Sequence, residues 1–289
     1  MTGYLEYWAD MLADPLVQRA LLVAVLVGGA APVVGTYLVQ RRLALLGDGI
    51  GHVALTGVAL GWLIGAGMDL APGALAVPGA VVAAVVGAIV IELVRASGRT
   101  SGDLALALMF YGGIAGGAAL IKVAGGTSAT LVAYLFGSLS TLSTGDVATA
   151  VVLAAVILVV GLAARWSLFA VAADEDFAKA SGLPTAWWNI VTAALAALTV
   201  TVAMRVVGLL LVSALMIVPV AITQLWARSF WRTMGLAAVI GAATGAGGLV
   251  ASYWYDLPPG ATIVVLAIVV YALAAIARPV LERVRSAQE

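Results

Sequence analysis

Two residues in the stretch LLGDGIGHVALTGVALGWLIG, residues 45–65, are chemically out of place. Asp48 and His52, the only histidine in the chain, stand four residues apart in a run otherwise suited to lipid. On a helix that spacing puts their Cβ atoms about 5–6 Å apart on one face. The pair can bind one cation or share one proton. A carboxylate at mid-membrane costs about 2.5–3.5 kcal/mol on insertion scales, so it needs a partner or water. The bland reading is that Asp48 caps a helix and His52 makes one hydrogen bond in a packed bundle. Spacing alone does not separate the two readings. Two ligands are too few for a tetrahedral zinc site. With one histidine and no cysteine, one chain cannot complete a nitrogen-rich set, whereas a two-fold dimer would bring two Asp48 and two His52 together.

The elements that carry this pair are written in the composition. Of 289 residues, 64% are hydrophobic and 10% charged, against about 25% charged in a soluble domain. The chain reads as an all-α, polytopic transmembrane bundle. Nine apolar segments are predicted to span: 16–39, 44–67, 74–94, 103–123, 146–164, 187–204, 206–225, 233–254 and 261–278. The split at Met204-Arg205 is the weakest boundary, and eight is the other count. LVAYLFGSLS (131–140) is too short to cross and reads as a half-helix buried against the spans. Residues 1–15 read as an interfacial helix, with Tyr4, Trp8 and Met11 on one face and Glu6, Asp10 and Asp14 on another. No basic segment precedes an apolar run there, so it does not read as a secretory signal. Pro15 suits the first turn of the first span. Residues 16–278 form the transmembrane domain and 279–289 a cytoplasmic tail.

Orientation follows from the basic residues. With nine spans and the N-terminus outside, Arg41, Arg42, Arg95, Arg99, Arg165, Lys179, Arg228, Arg232, Arg278, Arg283 and Arg285 are cytoplasmic. Only Arg19, Lys122 and Arg205 fall outside. Between spans five and six, AADEDFAKASG carries a helix-start pattern. Asp174 caps, Glu175 and Asp176 favour the first turn, and Gly182 with Pro184 ends it. A short helix under the membrane is expected, either a plain linker or a docking handle for a soluble partner. Gly57, Gly61 and Gly65, and Gly241 with Gly245, form stripes that let helices approach closely.

Other polar positions carry less. Asp103 is placed to cap span four, as are Ser101 and Gly102; Glu92 reads as a snorkelling side chain; Asp256 lies in a turn; Arg205 could face the entrance. Zero net charge and the lack of a basic run exclude a nucleic-acid partner. There is no G-x-S-x-G, H-E-x-x-H or P-loop. The chain is not expected to be an enzyme, and ATP, if used, must be hydrolysed by a separate protein.

The run L-x-G-D-x-x-x-H-x-x-L-x-G-V-A, Leu45 to Ala59, resembles the permeases of ATP-binding-cassette (ABC) importers for zinc and manganese. So do four further segments in the same order: AYLFGSLS (133–140), DEDFAKASGLP (174–184), VGLLLVSALMIVP (207–219) and YDLPPGATIVVL (255–266). Thr56 stands where the family often has proline. Gly49 and Gly51 stand for its alanines, and Val-Ala-Ile-Thr follows Pro219 in place of Ala-Ala-Thr-Ala. The resemblance implies a homodimeric domain in the cell membrane, of the fold shared with cobalamin and iron-siderophore permeases. It would pair with two cytoplasmic ATPase subunits and an extracytoplasmic metal-binding protein. It implies that Asp48 and His52 coordinate or gate a transported divalent metal, zinc or manganese, with no resident cofactor. It implies that Asp174, Glu175, Asp176, Phe177, Ala178, Ser181 and Gly182 couple the ATPase. Binding needs neutral His52 and ionised Asp48, so affinity falls below about pH 6. The alternative from another mechanism class is a proton-coupled secondary metal transporter using the same pair as a relay. A third is a non-transporting membrane scaffold in which the pair only packs.

Overall fold

The computed structural model describes residues 11, 13–70, 73–98, 101–138, 142–204, 207–209 and 211–286. Twelve helices occur among them: α1 (Pro15–Gln40), α2 (Leu46–Gly67), α3 (Ala76–Ser97), α4 (Gly102–Val123), α5 (Ser128–Phe136), α6 (Thr144–Ala163), α7 (Arg165–Ala173), α8 (Glu175–Ala180), α9 (Thr185–Ala203), α10 (Val212–Gln224), α11 (Phe230–Tyr255) and α12 (Pro259–Ser286). Eight of them, all but α5, α7, α8 and α10, are long and apolar enough to cross a bilayer. The proposed N-terminal interfacial helix, residues 1–15, lies outside the described residues apart from Met11, Ala13, Asp14 and Pro15.

The predicted spans match these helices with one difference. The segment expected at 206–225 is the 13-residue helix Val212–Gln224, too short to cross alone. Backbone geometry explains it: Gly208 holds a φ of +84°, a left-handed conformation that ends helical progress. The last helix also runs through Pro279 to Ser286, beyond the predicted boundary at 278. Arg205 lies outside the described residues.

The most deeply enclosed helix is α1. Asp14 caps it by accepting from the Leu16 amide at 2.8 Å, with Pro15 in the first turn. It ends where Arg42 turns left-handed, φ 57°, and the Leu43 amide donates to the Leu38 carbonyl at 2.8 Å. Gly28 of α1 meets Gly241 of α11 so closely that a Cβ on either would overlap the other's carbonyl. Gly57 faces Gly79 in the same way, and Gly61 faces the Leu75 carbonyl. The stripes seen in the sequence are therefore backbone contacts, the approach that small residues permit where lipid offers no hydrophobic drive. Gly65 meets only the Leu75 side chain at ordinary distance.

The half-helix expected within 131–140 is α5, Ser128–Phe136, capped by Thr127, and it is only partly enclosed, with Tyr134 buried and Val132 52% exposed. It packs against the break in the chain before α10. The Leu209 amide donates to the Tyr134 carbonyl at 3.0 Å, and Gly208 lies against the backbone of Leu135 to Gly137.

Candidate functional site

Asp48 lies in the first turn of α2 but does not cap it. The N-cap is Leu45, which makes no side-chain cap bond. The Asp48 carboxylate instead accepts a short hydrogen bond from the Ser213 hydroxyl, in the first turn of α10. A hypothetical Cβ at Gly47 would lie 3.6 Å from the Met216 sulfur, and Gly35 of α1 abuts the Met216 backbone. The first turn of α2 is thus packed on α10, which in turn packs on α1.

His52 is one turn further along α2 and 2% exposed. Its ring meets Phe110 of α4 edge-on, with centroids 4.3 Å apart. Its Nδ1 is buried with no hydrogen-bond partner among the described residues. Gly113 of α4 sits against the His52 backbone so tightly that a Cβ would come within 2.5 Å of the His52 carbonyl carbon. One turn on, the Thr56 hydroxyl donates to the Gly113 carbonyl at 3.1 Å. This side-chain bond ties α2 to α4.

Asp48 and His52 thus lie on one helix, framed by α4 on the His52 side and α10 on the Asp48 side. A carboxylate and an unpartnered imidazole nitrogen suit a small divalent cation with oxygen and nitrogen preference. Among the described residues no group of three or more His, Cys, Asp or Glu side chains converges. The glycine beside the pair has room. A Cβ at Gly51 would meet Val200 and Leu209 at 3.5 Å or more. Gly51→Ala should therefore stabilise the protein by about 0.5–1 kcal/mol through lower unfolded-state entropy, read as a raised melting temperature in detergent.

Sequence reasoning missed Ser213, whose only signal is a lone hydroxyl in the apolar run VGLLLVSALMIVP. It also read Glu92 as snorkelling. Glu92 is buried, 5% exposed, and accepts from Arg95 at 2.8 Å. A paired arginine one turn away removes the need to reach water. Asp103 does not cap α4; Ser101 does, accepting from the Leu104 amide at 3.3 Å. Asp256 closes α11 in a left-handed turn, φ 51°.

The second sequence-predicted group forms around α8. Asp174 caps it, accepting from the Phe177 amide at 2.9 Å. Glu175 and Asp176 occupy the first turn, Ser181 is the C-cap, and Gly182 takes a φ of +86°. Phe177 points outward, 70% exposed, while Ala178 is 1% exposed. A groove of about 770 Å³ opens between the first turns of α3 and α6. It lies at the opposite end of the bundle from Asp48. Its acid, Asp146, is engaged with Ser143 in a capping box.

The model of the ABC 3 transport family matches residues 13–278. The chain belongs to this family. Among its relatives, the manganese transport system membrane protein MntC of Halalkalibacterium halodurans is 30% identical over 274 residues, 95% of this chain and 91% of that protein. The manganese import system permease protein ScaB of Streptococcus parasanguinis is 30% identical over 257 residues, 89% and 88% of the two chains. Among solved structures, PsaBC from Streptococcus pneumoniae, in complex with a Fab, superposes with a TM-score of 0.82 at 29% identity, covering 93% of this chain and 95% of that one. An inward-facing metal-chelate-type ABC transporter shares the fold, with a TM-score of 0.66 at 16% identity. This ABC 3 chain is a multi-pass membrane permease of an ABC transporter.

Proposed function

We propose that this permease imports manganese or zinc, and that the metal passes Asp48 and His52. The observation that carries the reading is the pairing on α2 of a carboxylate oriented by Ser213 and an imidazole with a free buried nitrogen. The names of the relatives support a manganese cargo. Two copies of the chain form the membrane domain, each with its own Asp48–His52 pair. ATP is hydrolysed by separate cytoplasmic subunits that dock on α8, and a binding protein delivers metal from outside. The permease lies in the cell membrane with its N-terminus outside, an orientation supported by the basic residues before α10, where Arg41, Arg42, Arg95, Arg99, Arg165 and Lys179 fall on one side and Arg19 and Lys122 on the other.

The test is accumulation of radioactive manganese and zinc, each alone, in cells carrying the permease and its partners. Uptake of one metal should vanish on ATP depletion and survive collapse of the proton gradient. Uptake that survives ATP depletion but not the collapse would assign the pair to a proton relay instead.

A smaller effect is expected at Ser213. Removing its hydroxyl leaves Asp48 free to rotate away from His52. Ser213→Ala should weaken apparent metal affinity about tenfold, in line with losing an outer-shell partner of a ligand. Ser213→Thr, which keeps the hydroxyl, should stay near wild type. The KM for metal uptake at matched membrane abundance checks both.

A further inference from the structure

Arg41 follows the last residue of α1, seven residues before Asp48, and its side chain is only 5% exposed. Its Nη2 lies 3.5 Å from Glu175 Oε2. The other oxygen of the same carboxylate accepts from Asn189 Nδ2 at 2.7 Å. Asn189 is in the second turn of α9 and buried. One carboxylate in the first turn of α8 therefore holds two helices of the bundle. It is also the one ion pair between α8 and the rest of the fold among the described residues.

The Arg41 end of this cluster leads directly into the site. Arg41 is the C-cap of α1, and the four residues Arg42 to Leu45 join it to α2. That connection is too short to absorb much movement. It begins with the left-handed Arg42 and ends one turn before Asp48. Arg41 Nη1 is buried with no hydrogen-bond partner among the described residues, and Glu175 bonds the other terminal nitrogen of this nearly enclosed guanidinium. Losing Glu175 would take from the guanidinium its hydrogen bond and one of two opposing carboxylates, the other being Glu92. Movement of Glu175 is therefore felt at Arg41 through this bond.

We propose that the Arg41–Glu175–Asn189 cluster is the link through which movement of α8 reaches the Asp48 end of α2. Arg41 and Asn189 act as positioning residues for transport. This deepens the import function proposed above and rests on it. A push on α8 is carried by the Glu175 carboxylate to the end of α1, and from there along residues 42–45 to the carboxylate that faces the metal. The same carboxylate carries it to α9, whose Val200 flanks Gly51 beside His52.

The test uses the whole transporter, with its own ATPase and binding protein, in vesicles given radioactive manganese and ATP. Arg41→Gln and Asn189→Leu should still copurify with the ATPase and hydrolyse ATP. Metal taken up per ATP should fall about fivefold or more, the lower range of coupling between linked sites. Arg41→Lys, which keeps the charge, should recover most of the lost yield. Wild-type yield per ATP in Arg41→Gln and Asn189→Leu overturns the proposal. So does loss of uptake together with loss of ATPase binding, which would make the cluster a docking contact. An Arg41→Lys as defective as Arg41→Gln overturns it as well. Should Arg41→Gln fail to reach the membrane, Asn189→Leu decides by the same ratio. A wild-type transporter with no ATP-dependent metal uptake would instead refute the import function itself.

Discussion

Asp48→Ala and His52→Ala should each reduce metal uptake at least ten- to a hundredfold, while the permease stays folded in the membrane. Outer-shell partners of metal ligands already cost that much, and these are the candidate ligands themselves. Combining the two should cost little more than either alone, since both serve one site. A packing role predicts the reverse: lost stability, intact uptake and additive effects. The geometry separates the outcomes in advance. Asp48 makes no cap bond, so its removal takes from α2 a first-turn charge, worth about 0.3–1 kcal/mol, and from the α2–α10 contact the Ser213 hydrogen bond, worth about 1.5–3 kcal/mol. His52 fills a closed space beside Phe110 and Gly113, so His52→Gln, closer in volume, is the cleaner companion to His52→Ala. Metal accumulation and detergent melting temperature, measured on the same preparations, decide between them.

The second large effect is expected at Phe177→Glu. This ring is 70% exposed on a helix of six residues, so removing it disturbs nothing inside the fold. An exposed aromatic at the tip of a capped helix is a natural anchor for a partner's pocket. A charge there should cost about 2 kcal/mol of docking, or about thirtyfold in affinity for the ATPase. Copurification of the ATPase and its stimulation by the permease check it, with unchanged permease abundance as the control. Ala178 was grouped with Phe177 from the sequence, but it is enclosed. A charge at 178 would unseat α8 from the bundle, and its effect would report folding instead of docking.

Much of this was legible in the sequence because membrane helices announce themselves. Of the nine spans the apolar runs predict, eight coincide with long helices, and the cap and stop residues of α8 sit where Asp174 and Gly182 predict. The i, i+4 spacing put Asp48 and His52 on one face without any structure. What the sequence hid were partners distant along the chain. Ser213 meets Asp48 across 165 positions, and Glu175 meets Arg41 across 134. Neither separation leaves a periodic trace. The Glu92–Arg95 pair is local, but its burial depends on neighbouring helices that the pattern does not display. The shortness of α10 was hidden as well, because Leu209 and Leu211 continue the hydropathy while the backbone has already turned at Gly208.

The meeting of α5 with the break at residues 207–211 bears on the order in which the protein is built. A nine-residue helix is about 14 Å long, less than half the hydrocarbon layer. Its free carbonyls have no solvent in lipid. In α5 the Tyr134 carbonyl accepts from the Leu209 amide, and the Phe136 carbonyl lies against the start of α12 at Gly260. Neither exists in a nascent chain until some seventy residues or more beyond α5 have been made. During synthesis α5 must wait at the interface or within the translocon and slot in last. The early spans then form a provisional bundle with an open side, which the C-terminal third closes. Ribosome-bound chains stopped before Val207 should leave α5 reachable by water-soluble thiol reagents at an engineered cysteine, and chains extending past Gly260 should not.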